Sequence, residues 1–99
     1  MELFKMAKEA MSMRSKLKEM EKTLKAKVID VNYKGVTIKI NAKSEILDVK
    51  LPEDSLQKSL KDLEKLILSA FQEAISQSQK EMAEESKKMM GGMNIPGLN

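Results

Sequence analysis

Two segments in the middle of the chain alternate apolar and polar residues, and the dipeptide Lys34-Gly35 separates them. Alternation with a period of two is the pattern of a β-strand that buries one face. If Lys34-Gly35 is a two-residue loop, the apolar residues of the two strands face one another across the hairpin. The expected pairs are Tyr33 with Val36, Val31 with Ile38, and Ile29 with Ile40. This region therefore predicts a β-hairpin with one apolar face.

A third strand is predicted after a turn at residues 41–44. Polar residues alternate there with Leu47, Val49 and Leu51, and we expect these three side chains to point to the apolar face of the hairpin. The result is a three-stranded antiparallel meander. Its apolar face needs a cover, and the flanking segments must supply it as helices.

The segment before the sheet, residues 2–26, contains neither Gly nor Pro, and its apolar residues follow a seven-residue repeat. This pattern predicts an amphipathic helix of about seven turns. Spacings of three and four are typical of a helix that packs along another helix rather than on a sheet. The candidates for dimer or helix packing in this segment are Leu3, Met6, Met13, Leu17, Met20 and Leu24.

A second long helix is predicted after Pro52, which ends the third strand because proline cannot donate a hydrogen bond to a sheet. Apolar residues recur at helical spacing from Leu56 onward. Asp54 or Ser55 is in the right place to cap the start of this helix.

The second helix is most apolar over residues 63–75, so we expect that part to cover the sheet. Within it, Leu66 and Phe71 are further candidates for dimer or helix packing. From Ser76 onward the sequence becomes polar, which is typical of a helix that projects outward or meets a partner. Gly91-Gly92 is expected to end it.

The predicted fold class is α+β, with an N-terminal helix, a three-stranded antiparallel meander, and a long C-terminal helix that can be broken near its start. We expect residues 1–91 to form a single domain and residues 92–99 a flexible tail containing Gly and Pro. A chain of 99 residues buries too little surface to enclose a large active site.

The absence of His, Cys and Trp excludes more chemistry than any other feature of the composition. Cys/His zinc sites, thiol nucleophiles, His-based triads and disulfides are all ruled out. The adjacent carboxylates of Glu53-Asp54 and Glu84-Glu85 are expected to point apart. We therefore expect no enzyme activity, no metal, no cofactor and no small-molecule substrate.

Neither a signal peptide nor a membrane span is predicted. The first residues carry a charge every few positions, and the chain has no run of about 18 apolar residues. We expect a cytoplasmic protein without membrane contact.

Positive charge is concentrated in the first helix. Residues 1–27 hold eight basic and four acidic residues, whereas residues 52–99 hold six and eight. Four basic residues at steps of 4, 4 and 3 form a stripe beside the apolar repeat, with Lys8 at its margin: Arg14, Lys18, Lys22 and Lys25. Such a stripe can contact phosphates without reading bases. The stripe is equally compatible with a solvated helix face, and Glu21 interrupts it.

Three lysines near the end of the second helix are secondary candidates for the same contacts: Lys80, Lys87 and Lys88.

Nine Met residues lie near the two ends of the chain, where they offer adaptable apolar contacts. Such contacts suit a membrane surface, a client protein or a second subunit. We favour helix packing between subunits, because a monomer of this size leaves the first helix without a partner of equal length.

The order of elements resembles that of the YbaB/EbfC family of bacterial nucleoid-associated proteins, over nearly the whole chain. The most similar segments are residues 46–52 (ILDVKLP), residues 63–74 (LEKLILSAFQEA) and residues 90–98 (MGGMNIPGL). The resemblance implies a homodimer whose helices project in pairs like tweezers and hold double-stranded DNA. It also implies low sequence specificity, altered DNA conformation, a place in the nucleoid, and roles in nucleoid organisation and gene regulation.

A small prefoldin-like holdase or helical adaptor is the alternative, since such proteins also combine two helices with a β-hairpin. Their coiled coils are much longer than the roughly 25 residues of the first helix here.

Overall fold

The computed structural model describes residues 2–90 of the chain. The elements in order are α1 (Glu2–Ala26), β1 (Val28–Tyr33), β2 (Val36–Asn41), β3 (Ile46–Lys50), a short 3-10 helix (Glu53–Gln57) and α2 (Leu60–Met90). The predicted α+β fold is confirmed, including the break before the long second helix. The expected tail at residues 92–99 lies outside the described residues.

The hairpin has the predicted register. β1 and β2 pair antiparallel, and the three apolar pairs expected from the sequence are Cα partners. Lys34 and Gly35 have φ values of 48° and 92°, and a two-residue turn with both φ positive matches the right-handed twist of the strands. The Gly35 amide also donates a hydrogen bond to the Asn32 side-chain oxygen at 3.4 Å.

The third strand, β3, follows the prediction only in part. Val49 lies opposite Ile38 and packs against the core as expected. The expectation that Leu47 and Leu51 point inward is wrong, because about half of each side chain is exposed. A register shift next to β2 leaves Leu47 without a partner, and Leu51 lies beyond the strand. The pairs on either side of the shift are Lys39 with Asp48 and Ile40 with Ile46.

The long second helix, α2, begins at Leu60 rather than at Leu56. Leu56 belongs to the 3-10 helix, where its side chain is almost fully exposed. The expected caps at Asp54 and Ser55 are also wrong for α2, since both residues lie in the 3-10 helix. Ser59 is the cap, because its hydroxyl accepts a hydrogen bond from the backbone N–H of Asp62 at 3.1 Å.

α2 covers the apolar face of the sheet. Ala70 and Ala74 are fully buried against β1 and β2, and these small side chains let the helix lie close to the strands. The other buried members of this core are Val31, Val36, Ile38 and Ile40, and Ile29, Tyr33, Val49, Leu66 and Phe71 pack against them. The prediction that residues 63–75 cover the sheet is confirmed.

The molecule is elongated, with extents of 70 × 25 × 18 Å. Its radius of gyration is 19.4 Å, whereas a compact chain of about 100 residues has a value of about 13 Å. The difference arises because most of α1 extends away from the sheet, and because the 31-residue α2 continues well beyond its last core residue, Ala74.

Candidate nucleic-acid interface

α1 is attached to the rest of the molecule only by its C-terminal turns. Leu24 is its one buried side chain within the described residues, and Met20 is half-buried. All other side chains of the helix are exposed. The exposed part, residues 2–19, extends for about 25 Å at 1.5 Å per residue. This part forms an arm whose basic face and apolar face are both accessible to a partner.

The predicted basic stripe lies on this arm and its base. Arg14, Lys18, Lys22 and Lys25 are all exposed. Among the described residues, none of these four side chains takes part in an ion pair. Their positive charges are therefore available to an anionic partner.

Glu21, which interrupts the stripe in the sequence, is held by a lysine from the turn between β2 and β3. The Lys43 ammonium group donates a hydrogen bond to Glu21 Oε1 at 2.6 Å. This hydrogen bond lowers the pKa of Glu21 and raises that of Lys43. The pair offsets the negative charge within the positive stripe.

The secondary candidates are less uniform. Lys8 is exposed near the start of α1, where it lines a shallow depression with Phe4. Lys80 and Lys87 are exposed on α2. Lys88 is also exposed, but its ammonium group lies 3.6 Å from Glu85 Oε1.

The apolar repeat of α1 is buried at one end only. Its exposure rises from 6% at Leu24 to 63% at Leu17 and 82% at Leu3. Met6 and Met13 are exposed in the same way, and Met20 lies at the boundary. Because these residues share one face, the apolar surface begins at the body of the molecule and continues outward uncovered.

The last two packing candidates lie elsewhere. Leu66 and Phe71 are partly buried on α2 and pack against the sheet within the same chain. The structure therefore separates them from the open apolar face of α1.

The base of α1 is joined to the turn between β2 and β3. The backbone N–H of Ala42 donates to the carbonyl oxygen of Leu24 at 3.1 Å and to that of Lys27 at 3.0 Å. Leu24 lies in the last turn of α1, where carbonyls lack partners within the helix, and Lys27 directly follows the helix. Ala42 is fully buried at this contact.

Asn41 organises the same turn and connects it to α2. Its side-chain oxygen accepts from the backbone N–H groups of Lys43 and Glu45, each at 3.0 Å. Its backbone carbonyl accepts from the hydroxyl of Ser78 at 2.8 Å. The turn, α1 and α2 thus meet at one junction.

Lys27 completes the junction. Its ammonium group lies 2.7 Å from Glu81 Oε1 and 2.7 Å from Glu85 Oε1, so one lysine bridges two carboxylates on successive turns of α2. Hydrogen bonds to Glu81 and then to Glu85 raise the pKa of Lys27. The hydrogen bond from Lys27 lowers the pKa of Glu85.

The junction was not found from the sequence, although two signals pointed to it. Asn41 is a residue type that favours turns through bonds to its own backbone. Ser78 continues the row of Ala70 and Ala74 at intervals of four, which places a hydroxyl on the buried side of α2. Neither signal identifies the partner across the fold.

Two further features are absent from residues 2–90, a metal site and a membrane-spanning helix. No group of three or more acidic residues in this part of the chain could hold a metal ion. Neither of its two long helices is long and apolar enough to cross a membrane.

Comparison with known proteins decides the family. A model of the YbaB/EbfC DNA-binding family matches residues 1–93. The chain belongs to this family. The match includes all of α1, the sheet and α2, so the YbaB/EbfC region contains the basic stripe, the apolar face and the junction together.

Individual relatives agree with the YbaB/EbfC assignment. A nucleoid-associated protein of Thermoanaerobacter pseudethanolicus is 31% identical over 94% of this chain and 86% of its own length. One from Clostridium acetobutylicum is 34% identical over 92% and 84%, respectively. One from Clostridium novyi is 32% identical over 99% and 89%. The resemblance inferred from the sequence motifs is confirmed.

Proposed function

We propose that this YbaB/EbfC chain is a nucleoid protein that binds double-stranded DNA as a homodimer. The basic stripe of α1 contacts the phosphates of the DNA, and binding has low sequence specificity. Binding changes the conformation of the DNA and so contributes to nucleoid organisation and gene regulation. The function is one of binding, without a catalytic step.

The observation that carries the proposal is the state of the basic stripe. Its four charges are exposed on one side of α1, on the arm and at its base, and no ion pair within the described residues neutralises them. From Arg14 to Lys25 the stripe is about 16 Å long at 1.5 Å per residue. That length matches about five base pairs at 3.4 Å per step along one strand.

Low sequence specificity is supported by the small number of aromatic residues. Tyr33 and Phe71 pack against the core of the sheet, which leaves Phe4 as the exposed aromatic side chain among the described residues. Few aromatic side chains are therefore available to stack on bases. Phosphate contacts position a protein on DNA but do not specify a sequence.

The homodimer is supported by the uncovered apolar face of α1. An exposed row of Leu and Met over several turns is unusual for a monomer, and a second copy would bury it by helix packing. A dimer also doubles the formal charge of +3 to +6 and brings two stripes to one duplex.

The test is a titration of fluorescent duplex DNA at several salt concentrations. The test variant reverses three charges of the stripe: Arg14→Glu, Lys18→Glu and Lys22→Glu. The matched control reverses three exposed lysines away from the arm: Lys50→Glu, Lys61→Glu and Lys65→Glu. Both variants have the same net charge, so long-range repulsion from DNA is equal.

We expect the control to keep most of the affinity and the stripe variant to lose nearly all of it. The wild-type protein should show a log–log salt slope of about −0.9 per neutralised phosphate, with different duplexes bound within a few-fold of one another. Equal losses in the two variants, or binding that ignores salt, would contradict the proposal.

The same apolar face favours one competing function, the holdase. An exposed Leu and Met surface can hold an unfolded client instead of a second subunit. Suppression of client aggregation, together with no shift of duplex DNA at low salt, would favour this alternative.

A further inference from the structure

The direction of α1 depends on contacts at its base. From Leu24 to Arg14, the outermost residue of the basic stripe, the helix measures about 15 Å, so a tilt of about 20° moves Arg14 by about 5 Å. A displacement of that size exceeds the reach of a hydrogen bond to a phosphate. Whatever sets the tilt therefore sets whether the basic stripe follows a duplex.

The backbone contacts alone restrain this tilt weakly. The N–H of Ala42 meets the carbonyls of Leu24 and Lys27, which lie within one turn of each other at the end of the helix. Because these contacts lie so close together, the helix can still rotate about them. Contacts at some distance from them are needed to fix the angle of α1.

Lys27 supplies such a contact toward α2. Its ammonium group bridges Glu81 and Glu85 at 2.7 Å each, and these two carboxylates lie one turn apart on α2. Ser78, one turn before Glu81, is hydrogen-bonded to the carbonyl of Asn41, so this part of α2 is held to the turn between β2 and β3 and supports the bridge.

The Lys27 bridge is also the less exposed of the two ion pairs that restrain α1. The side chain of Glu85 is 11% exposed and that of Lys27 34%. In the pair between Lys43 and Glu21, the carboxylate is 60% exposed. Water and salt screen a covered pair less than an open one, so the Lys27 bridge is the stronger restraint.

We propose that Lys27, by bridging Glu81 and Glu85, is a positioning residue that fixes the angle at which α1 leaves the body and so aligns the basic stripe with DNA. The alignment with DNA rests on the DNA binding proposed above. The role of Lys27 in fixing the helix angle is independent of DNA binding, because it concerns the free protein.

The first readout is the distance between α1 and α2 without DNA. The chain has no Cys, so Ser12→Cys and Ser76→Cys introduce the only two sites for nitroxide labels. Both serines are exposed. Mixing labelled protein with an excess of unlabelled protein makes spin pairs within one chain dominate, and pulsed electron spin resonance then gives their distance distribution.

Lys27→Met should broaden this distribution, and Lys27→Arg should keep it narrow because arginine can form the same bridge. Lys61→Met is the control for the loss of one exposed positive charge. Circular dichroism establishes that each variant retains its helices.

The second readout is DNA affinity in a variant whose charge change has the opposite sign. Glu81→Gln with Glu85→Gln removes two negative charges, so electrostatics alone would strengthen binding to DNA. If Lys27 positions α1, this double variant should instead broaden the distance distribution and weaken binding by at least about threefold. Lys27→Met should weaken it similarly, and Lys27→Arg should not.

An unchanged distance distribution in the Glu81→Gln, Glu85→Gln variant, or tighter DNA binding by it, would overturn the positioning role. The two proposals fail separately. If wild-type protein bound no DNA while Lys27→Met still broadened the distances, the DNA-binding function would be rejected and the role of Lys27 in setting the helix angle would stand.

Discussion

The hydroxyl of Ser78 donates a hydrogen bond to the backbone carbonyl of Asn41 at 2.8 Å, with Ser78 fully buried. This bond joins the middle of α2 to the turn between β2 and β3, to which the base of α1 is also attached. The Ser78 hydroxyl is also hydrogen-bonded to that of Ser44 at 2.9 Å. We expect Ser78→Ala to reduce the free energy of unfolding by about 1 to 2 kcal/mol, because both bonds are lost. Urea unfolding measures it, with the exposed Ser76→Ala as the control expected to change little.

The tip of the hairpin is a second place where one residue type is required. Gly35 has a φ of 92°, and a Cβ added there would stand 3.3 Å from Cβ and Cγ of Pro52. We expect Gly35→Ala to cost about 1 to 2 kcal/mol, because both the backbone conformation and the space oppose a side chain. Lys34→Asn is the comparison variant: asparagine tolerates positive φ, so its stability should not fall. A neutral Gly35→Ala in thermal unfolding would contradict this account.

Leu24 and Leu17 lie on the same face of α1 but should respond differently to truncation. Leu24 is buried within the chain, and Leu24→Ala should lower the free energy of unfolding by about 2 to 3 kcal/mol. Leu17 is 63% exposed. If a second copy covers it, Leu17→Ala should raise the dissociation constant of the dimer by about fivefold or more. Sedimentation measures the dimer, with Ser15→Ala as the control, and an unchanged dissociation constant would place Leu17 outside the interface.

Stability should fall with acid because of the two ion-paired glutamates. The pKa of Glu21 and that of Glu85 are lowered from the ordinary 4.5 by hydrogen bonds from Lys43 and Lys27. Their contribution is present above pH 4.5 and is lost as the pH falls through the lowered folded-state pKa. Unfolding experiments between about pH 3 and about pH 7 test this expectation. Glu85→Gln should lose less stability on acidification than wild type. The control is Glu64→Gln, at an exposed residue that forms no ion pair within residues 2–90, and it should behave like wild type.

The same ion pairs predict the opposite dependence in base. The pKa of Lys27 and that of Lys43 are raised above the ordinary 10.5, by Glu81 with Glu85 and by Glu21 respectively. Their contribution is complete below pH 10.5 and is lost as the pH rises through the raised folded-state pKa. Stability that declined already near neutral pH would be inconsistent with these pairs.

Single lysines of the stripe should have separable effects on DNA binding. Lys22→Ala should reduce the magnitude of the log–log salt slope by about 0.9, because one phosphate contact is lost. Lys65→Ala, an exposed lysine on the first half of α2, should leave the slope unchanged. The slopes come from titrations of one duplex, and equal slopes for Lys22→Ala and wild type would remove Lys22 from the interface.

The parts of the fold that could be predicted from the sequence depend on residues that are close together in the sequence. The pairing of Val31 with Ile38 follows from the alternation around Lys34-Gly35, since a slip of one residue would turn every apolar side chain outward. The position of Leu47 could not be found in this way. Its exposure results from a register shift against β2, and the turn that Asn41 organises sets how β3 meets that strand.

The start of α2 shows a similar division. Helical spacing extends back to Leu56, yet the chain forms a 3-10 helix there and begins α2 after Ser59. The spacing of Ser59 and Asp62 is a local capping signal that could have located this boundary. Periodicity alone placed the start of α2 too early, because apolar spacing indicates which face of a helix is buried and not where the helix begins.

The sequence by itself determined the hairpin, the two helices and the placing of four basic residues along one side of α1, because each depends on spacing within one element. Only the tertiary structure decided which charges remain available to a partner. Lys27 meets Glu85 across 58 positions of sequence, and Lys43 meets Glu21 across 22, so both pairs exist only once the helices and sheet have come together. The same assembly buries Leu24 and leaves Leu17 open, since the sheet is short and α1 extends beyond its edge.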